Sequence, residues 1–153
     1  MKKIVIFLGV IIVLFAALAF VTNTKNEQRV EGNPFEKETL HSATINQLDD
    51  PIYENIILPD ELIERLNAQE SMTIYYYSPT CPACEQTSPI IVPMAEEMGL
   101  DMKLFNLLEF EGGWATFDIT ETPTVVRYEN GQEVGRIGYV DASEYEQWFT
   151  QWE

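Results

Sequence analysis

Cysteine, histidine and basic residues are all scarce in this chain of 153 residues: two Cys, one His, and nine Lys plus Arg against 25 Asp plus Glu. The lone histidine, His41, and the two cysteines, Cys81 and Cys84, fall short of the four ligands of a closed zinc site, which would need carboxylates or a second chain. The cysteines stand three positions apart, and a bridge closing so small a loop removes less unfolded-state entropy than a long-loop staple. Stability is therefore a poor reason for the pair, and chemistry a better one. The shortage of bases leaves a formal charge of −16, a field that repels phosphate and argues against nucleic acid as a partner. A solvated acidic surface is the plainest account of it.

Charge of either sign is absent from Ile4 to Val21, a run of 18 apolar or small residues. As a helix this run spans about 27 Å at roughly 1.5 Å per residue, just enough to cross a hydrocarbon core. Lys2 and Lys3 precede it and the polar stretch Thr22 to Glu27 follows; the positive flank stays in the cytoplasm and sends the remainder outward. A cleaved signal peptide would use Ala17-Leu18-Ala19 as its small-x-small site, but signal cores run only ~7–15 residues, so a retained anchor is the better reading. No cysteine for lipid attachment lies near that site. All 25 acids, and nine bases less Lys2 and Lys3, lie beyond the run, giving the expected exported part a formal charge of −18.

The organisation expected is an anchor or signal peptide over 1–21, a polar stalk and irregular lead-in over 22–52, and one domain over 53–153. Ile56-Ile57-Leu58 reads as a short strand. Pro59 opens a helix with Asp60 and Glu61 in its first turn and Leu62, Ile63 and Leu66 as its buried stripe. Met72 to Tyr77, β-branched and aromatic, reads as a central strand. A turn at Ser78-Pro79-Thr80-Cys81 then hands over to a helix carrying Cys84, Ile90, Ile91 and Met94, which Gly99 stops. Asp101 to Leu108 supplies the next strand, Gly112-Gly113 a break, and Trp114 to Ile119 a short helical or irregular piece. Thr124 to Tyr128 and Glu133 to Ile137 form a hairpin across Asn130-Gly131. Asp141 to Glu144 resembles a capping box opening a last helix, with Tyr145, Trp148 and Phe149 facing inward. Such alternation predicts an α/β fold, a mixed sheet flanked by helices.

A Cys-x-x-Cys at a strand-to-helix turn has a chemical purpose. Unpaired N–H groups and the helix dipole stabilise a thiolate on the first cysteine. That thiolate attacks a disulfide, and the second cysteine resolves the mixed disulfide. Cys81 is the expected nucleophile and Cys84 the resolving thiol, together forming a redox-active disulfide.

From about Tyr53 onward the chain resembles the thioredoxin family, particularly its small membrane-anchored bacterial members. The resemblance rests on Tyr75 to Cys84 as strand and redox turn, Pro89 in the following helix, Thr122-Pro123-Thr124, and Gly138 after the hairpin. It implies a thioredoxin-like fold, a cis bond before Pro123, and substrate contacts from Thr122, Pro123 and Pro82. It also implies exported protein thiols or disulfides as partners, a membrane redox partner, no cofactor and no metal, and work as a monomer. Departures are as informative. Cytoplasmic members keep a buried acid where this chain has Tyr75 and a buried lysine where it has Leu104, and they carry Gly-Pro between the cysteines instead of Pro82-Ala83. Glu85 is a candidate substitute for the acid, although an exposed helix-surface acid is the plainer reading. Pro93, a further helix proline, predicts a second kink or an early end. Pro-Ala leans towards oxidation or isomerisation over reduction. Two other readings stay open: a copper- or metal-handling dithiol carrier, and a redox-inactive binding module using Trp114, Phe117 and the tyrosines 75–77.

Overall fold

The computed structural model describes residues 2–152. Helix α1 (Lys2–Val30) is followed by α2 (Ser42–Gln47), a single 3-10 turn (Pro51–Tyr53) and α3 (Pro59–Asn67). Strand β1 (Met72–Tyr77), helix α4 (Pro82–Glu97), strand β2 (Met102–Asn106) and helix α5 (Gly112–Thr116) come next. The hairpin β3 (Thr124–Glu129) and β4 (Gln132–Ile137) and helix α6 (Ala142–Phe149) complete the chain. The four strands lie in the order β2-β1-β3-β4. The β1–β2 pair is parallel and the others antiparallel, a thioredoxin-like mixed sheet flanked by helices.

Strand β1 shows why the sheet is central. Successive side chains point to opposite faces, and all six residues of β1 are buried. Tyr75 and Tyr77 enter one core with Ile91 and Ala95 of α4 and Tyr145 and Phe149 of α6. Met72, Ile74 and Tyr76 enter the other, with Leu62 of α3, Phe105 and Val126. A strand covered on both faces reads as a near-continuous apolar or aromatic run, and Met72 to Tyr77 is one at five of its six positions, Thr73 being the buried polar exception. Each buried ring or branched chain contributes about 1.5–3 kcal/mol.

Several expectations need correction. Ile56-Ile57-Leu58 is not a strand: only one parallel bridge, Ile56 to Leu104, forms. Pro59 starts α3 immediately afterwards and leaves no length for a ladder. Ile63 is exposed, so the buried stripe of α3 narrows to Leu62 with half-buried Leu66. Ile90 faces solvent while Ile91 is buried. Helix α4 runs unbroken past Pro89 and Pro93 to Glu97, so Pro93 does not end it. Gly112-Gly113 opens α5 and does not break the chain there, since Gly113 lets that helix approach Phe105: a Cβ would sit 2.5 Å from its ring. Asp141 occupies the N-cap of α6 without a side-chain capping bond, so the capping box does not form. The hairpin is as expected, with Asn130 and Gly131 both at positive φ (51° and 75°), as a type I′ turn demands.

The lead-in differs most. Residues 22–50 are not irregular throughout, because α1 continues to Val30 and α2 forms beyond it. Phe35, Thr44 and Ile45 are buried, and the segment is clamped to the domain by Glu109. Lys37 Nζ donates to the Glu109 carbonyl at 2.7 Å and to its carboxylate at 2.9 Å, while the His41 N–H donates to the same carboxylate at 2.8 Å. Among the described residues no helix is long and apolar enough to cross a membrane, and the span expected over Ile4–Val21 rests on the sequence alone.

Candidate functional site

The redox turn sits where β1 ends and α4 begins. Cys81 is the N-cap of α4 and Pro82 its first residue, a position where proline's missing N–H is no loss. The Cys81 sulfur accepts a hydrogen bond from the Cys84 backbone N–H at 3.3 Å, so the thiol does what a serine or aspartate oxygen does at other helix starts. Helix geometry carries Cys84 one turn on and inward, where it is 1% exposed and packed among Tyr75, Tyr77 and Tyr145. Cys81 is half-buried, and both cysteines are free thiols.

The two sulfurs are electrostatically unlike. Burial works against ionisation of Cys81, yet hydrogen bonds from Cys84, Thr122 and the backbone N–H groups of Cys84 and Ala83 outweigh it and lower its pKa below that of an ordinary thiol. Burial, and after it the hydrogen-bonded Cys81, keeps Cys84 protonated, its pKa pushed up to about 12. One thiol is therefore prepared to attack and the other to wait.

Thr122 and Pro123 reach this site from 41 residues away in sequence. Their peptide bond is cis, and the Cys81 thiol donates to the Thr122 carbonyl at 3.2 Å. Gly138 closes the same side: a Cβ there would lie 2.9 Å from Glu121 Oε1 and 4.0 Å from the Pro123 carbonyl. Pro82 is exposed beside Cys81. The structure thus brings together Cys81, Cys84, Pro82, Thr122 and Pro123.

Other candidates lie elsewhere. Glu85 is exposed on α4. His41 caps α2, its Nδ1 accepting from the Ala43 N–H at 3.2 Å. Among the described residues no cluster of three or more His, Cys, Asp or Glu could hold a metal ion. Tyr75, Tyr76 and Tyr77 are fully buried and Trp114 and Phe117 pack against the second core, so they do not form a binding surface. Tyr75 stands opposite Leu104 in the β1–β2 ladder, both fully buried.

Sequence reasoning passed over Ser88. Its hydroxyl donates to the Cys84 carbonyl at 2.8 Å and lies 2.9 Å from the Tyr75 hydroxyl. The available signal was its spacing of four from Cys84 on one helix face. Lys37 and Glu109 were also missed, since nothing local marks a pair 72 residues apart.

Comparison with solved structures agrees with this geometry. Thioredoxin from Fasciola hepatica is similar at 18% identity and a TM-score of 0.55, covering 61% of this chain and 93% of that one. Plasmodium falciparum thioredoxin gives 18% and 0.54 over 62% and 94%, and Aeropyrum pernix thioredoxin 21% and 0.51 over 63% and 85%. No curated protein matches the sequence. The thioredoxin family model matches residues 56–151, a stretch holding both cysteines, the cis-proline loop and the whole sheet; the chain belongs to the thioredoxin family, whose general activity is thiol–disulfide exchange.

Proposed function

We propose that this protein is a membrane-anchored thiol–disulfide oxidoreductase that exchanges disulfides with exported proteins outside the cytoplasmic membrane. The observation that carries the chemistry is the asymmetry of the two thiols at the start of α4. Cys81, with its pKa lowered, attacks a substrate disulfide; its sulfur bonds to one substrate sulfur and the other departs as thiolate. Cys84 then gives up its proton and attacks Cys81, forming the Cys81–Cys84 disulfide and releasing the second substrate sulfur. Run backwards, the same steps place a disulfide in the substrate. Thr122, Pro123 and Pro82 border Cys81 and offer the backbone and apolar surface on which an extended substrate segment lies.

Stabilising the Cys81 thiolate favours the reduced form of the pair, and a stabilised reduced form makes a stronger oxidant. This supports the oxidase or isomerase direction suggested by Pro82-Ala83. The anchored, outward location is supported by the charge-free run Ile4–Val21 behind Lys2 and Lys3. The deciding measurement is the equilibrium potential against glutathione: a value near about −120 mV supports the oxidase direction and one near about −270 mV a reductase. Protease digestion of intact cells, with Cys84→Ser protein capturing clients as mixed disulfides, tests the location. Clients confined to the cytoplasm would overturn it.

A further inference from the structure

Cys84 must lose a proton in a place that resists charge. The groups facing it are Cys81 on its own helix, Tyr75 and Tyr77 of β1, Tyr53 of the 3-10 turn and Tyr145 of α6. Tyr53 and Tyr75 both interact with Ser88 of α4 and with Cys84, but the hydroxyl placed at hydrogen-bond distance from Ser88 is that of Tyr75. The Tyr145 hydroxyl is committed to the Gly138 carbonyl, and the Tyr77 hydroxyl interacts with the Asn106 side chain of β2. The Tyr75 hydroxyl lies 2.9 Å from Ser88 Oγ. Ser88 spends its own proton on the Cys84 carbonyl at 2.8 Å. A serine has one O–H to donate, so Tyr75 is the donor to Ser88. The same phenol interacts with the Cys84 side chain, and Tyr75, Ser88 and Cys84 are each at most 1% exposed.

We propose that Tyr75 is a positioning residue for the resolving step: its O–H, parked on Ser88 at rest, turns to donate to the Cys84 sulfur as that sulfur becomes a thiolate. This rests on the thiol-exchange reading above. The balance is complete without a further reactant. The Cys84 S–H proton passes through solvent to the departing substrate thiolate, the Cys84–Cys81 bond forms, and the Cys81–substrate bond breaks. Tyr75 keeps its proton throughout. A hydrogen bond to a thiolate is charge-assisted and stronger than the neutral bond to Ser88, so the turn favours the ionised sulfur.

Stopped-flow reaction of the reduced full chain with Ellman's reagent separates the two steps. The first thionitrobenzoate release reports attack by Cys81, and the second reports resolution by Cys84. In Tyr75→Phe the first phase is expected unchanged. The second slows about tenfold, the worth of one charge-assisted hydrogen bond, and its rate–pH profile moves to higher pH. Ser88→Ala frees the Tyr75 O–H, and its second phase stays as fast as wild type or faster. A normal first phase with an unshifted second phase in Tyr75→Phe would overturn this role alone, as would a tenfold slowing in Ser88→Ala. Loss of the first phase in the wild type would overturn thiol exchange itself.

Discussion

Replacing Lys37 by methionine tests how far the lead-in is part of the folded domain. The change keeps most of the apolar stem and removes the ammonium group. In the folded protein that group sits 2.9 Å from the Glu109 carboxylate, whose side chain is 3% exposed while that of Lys37 is 36% exposed. Stripping a partner from a fully buried ion pair costs about 3–5 kcal/mol, and from an exposed one about 0–1 kcal/mol. With one end buried and the other a third open, the cost falls between, at about 2 kcal/mol. The His41 N–H still serves the carboxylate, which holds the figure at that level. For a domain of this size the melting temperature drops by roughly 8 °C, read by circular dichroism on the full chain in detergent.

The pH dependence supplies a second check on the same pair. Burial alone would raise the Glu109 pKa, but hydrogen bonds from Lys37, Thr44 and the His41 N–H and the Lys37 charge outweigh it, and the folded value is lowered. A lowered carboxylate pKa contributes stability that is present above the unfolded value, about 4.3, and is lost as pH falls through the folded one. The gap between wild type and Lys37→Met is therefore full at pH 7 and closes in acid. A variant within about 0.5 kcal/mol of wild type at pH 7, or a gap undiminished at low pH, would refute the reasoning. Adding Glu109→Gln to Lys37→Met should cost less than the sum of the single changes, because it removes the orphaned charge.

Other outcomes follow from the site and the sheet. Cys81→Ser abolishes disulfide exchange with protein substrates, whereas Cys84→Ser retains attack and accumulates mixed disulfides visible on non-reducing gels. Alkylation of the reduced protein by iodoacetamide occurs first at Cys81, with a midpoint below that of an ordinary thiol, while Cys84 stays unmodified near neutrality; mass spectrometry of peptides distinguishes them. In a Cys81→Ser background, Cys84 keeps its pKa raised by burial. Its contribution to stability is whole below about pH 8.5 and is lost as pH rises through the folded value, so the difference in denaturant midpoint between this variant and its Cys84→Ser double should hold constant up to about pH 8.5 and shift against Cys84 only in alkali. Gly131→Ala loses at least about 1 kcal/mol from its left-handed conformation alone. It loses more because the new Cβ would meet the Leu66 carbonyl oxygen at 2.0 Å; urea unfolding measures the total.

What could be read in advance was whatever local pattern controls. The strand Met72 to Tyr77, the turn at Asn130-Gly131, Gly99 as a helix stop and Cys81 at a helix start each follow from a few neighbouring residues. Cys81 and Cys84 were legible for the same reason, while the cis bond before Pro123 came only through family resemblance. What escaped depends on partners distant in sequence. Phe35 looked like a scattered apolar residue in a polar stretch because its partner is distant in sequence: its ring packs 6.2 Å from that of Phe110. Ile56 to Leu58 has strand composition, but the register of Leu104 and the closeness of Pro59 allow it a single bridge. Ser88 carries only its spacing of four from Cys84, which gains meaning once Tyr75 is seen across from it.

Each of the five bases beyond residue 30 is already in an ion pair: Lys37 with Glu109, Arg65 with Glu61 and Glu70, Lys103 with Asp101, Arg127 with Glu129, and Arg136 with Glu133. The positive charge of the domain is therefore cancelled within a few ångströms of its source, and what reaches solvent is the surplus of acids. An approaching molecule meets a net negative field, out to a screening length of about 8 Å at physiological salt. Segments carrying lysine or arginine near their cysteines are drawn in and acidic ones are slowed, by a margin that added salt erases. Discrimination of this kind acts on the frequency of encounters before any contact is made, and it would let one open redox turn favour some clients without a pocket shaped for any of them.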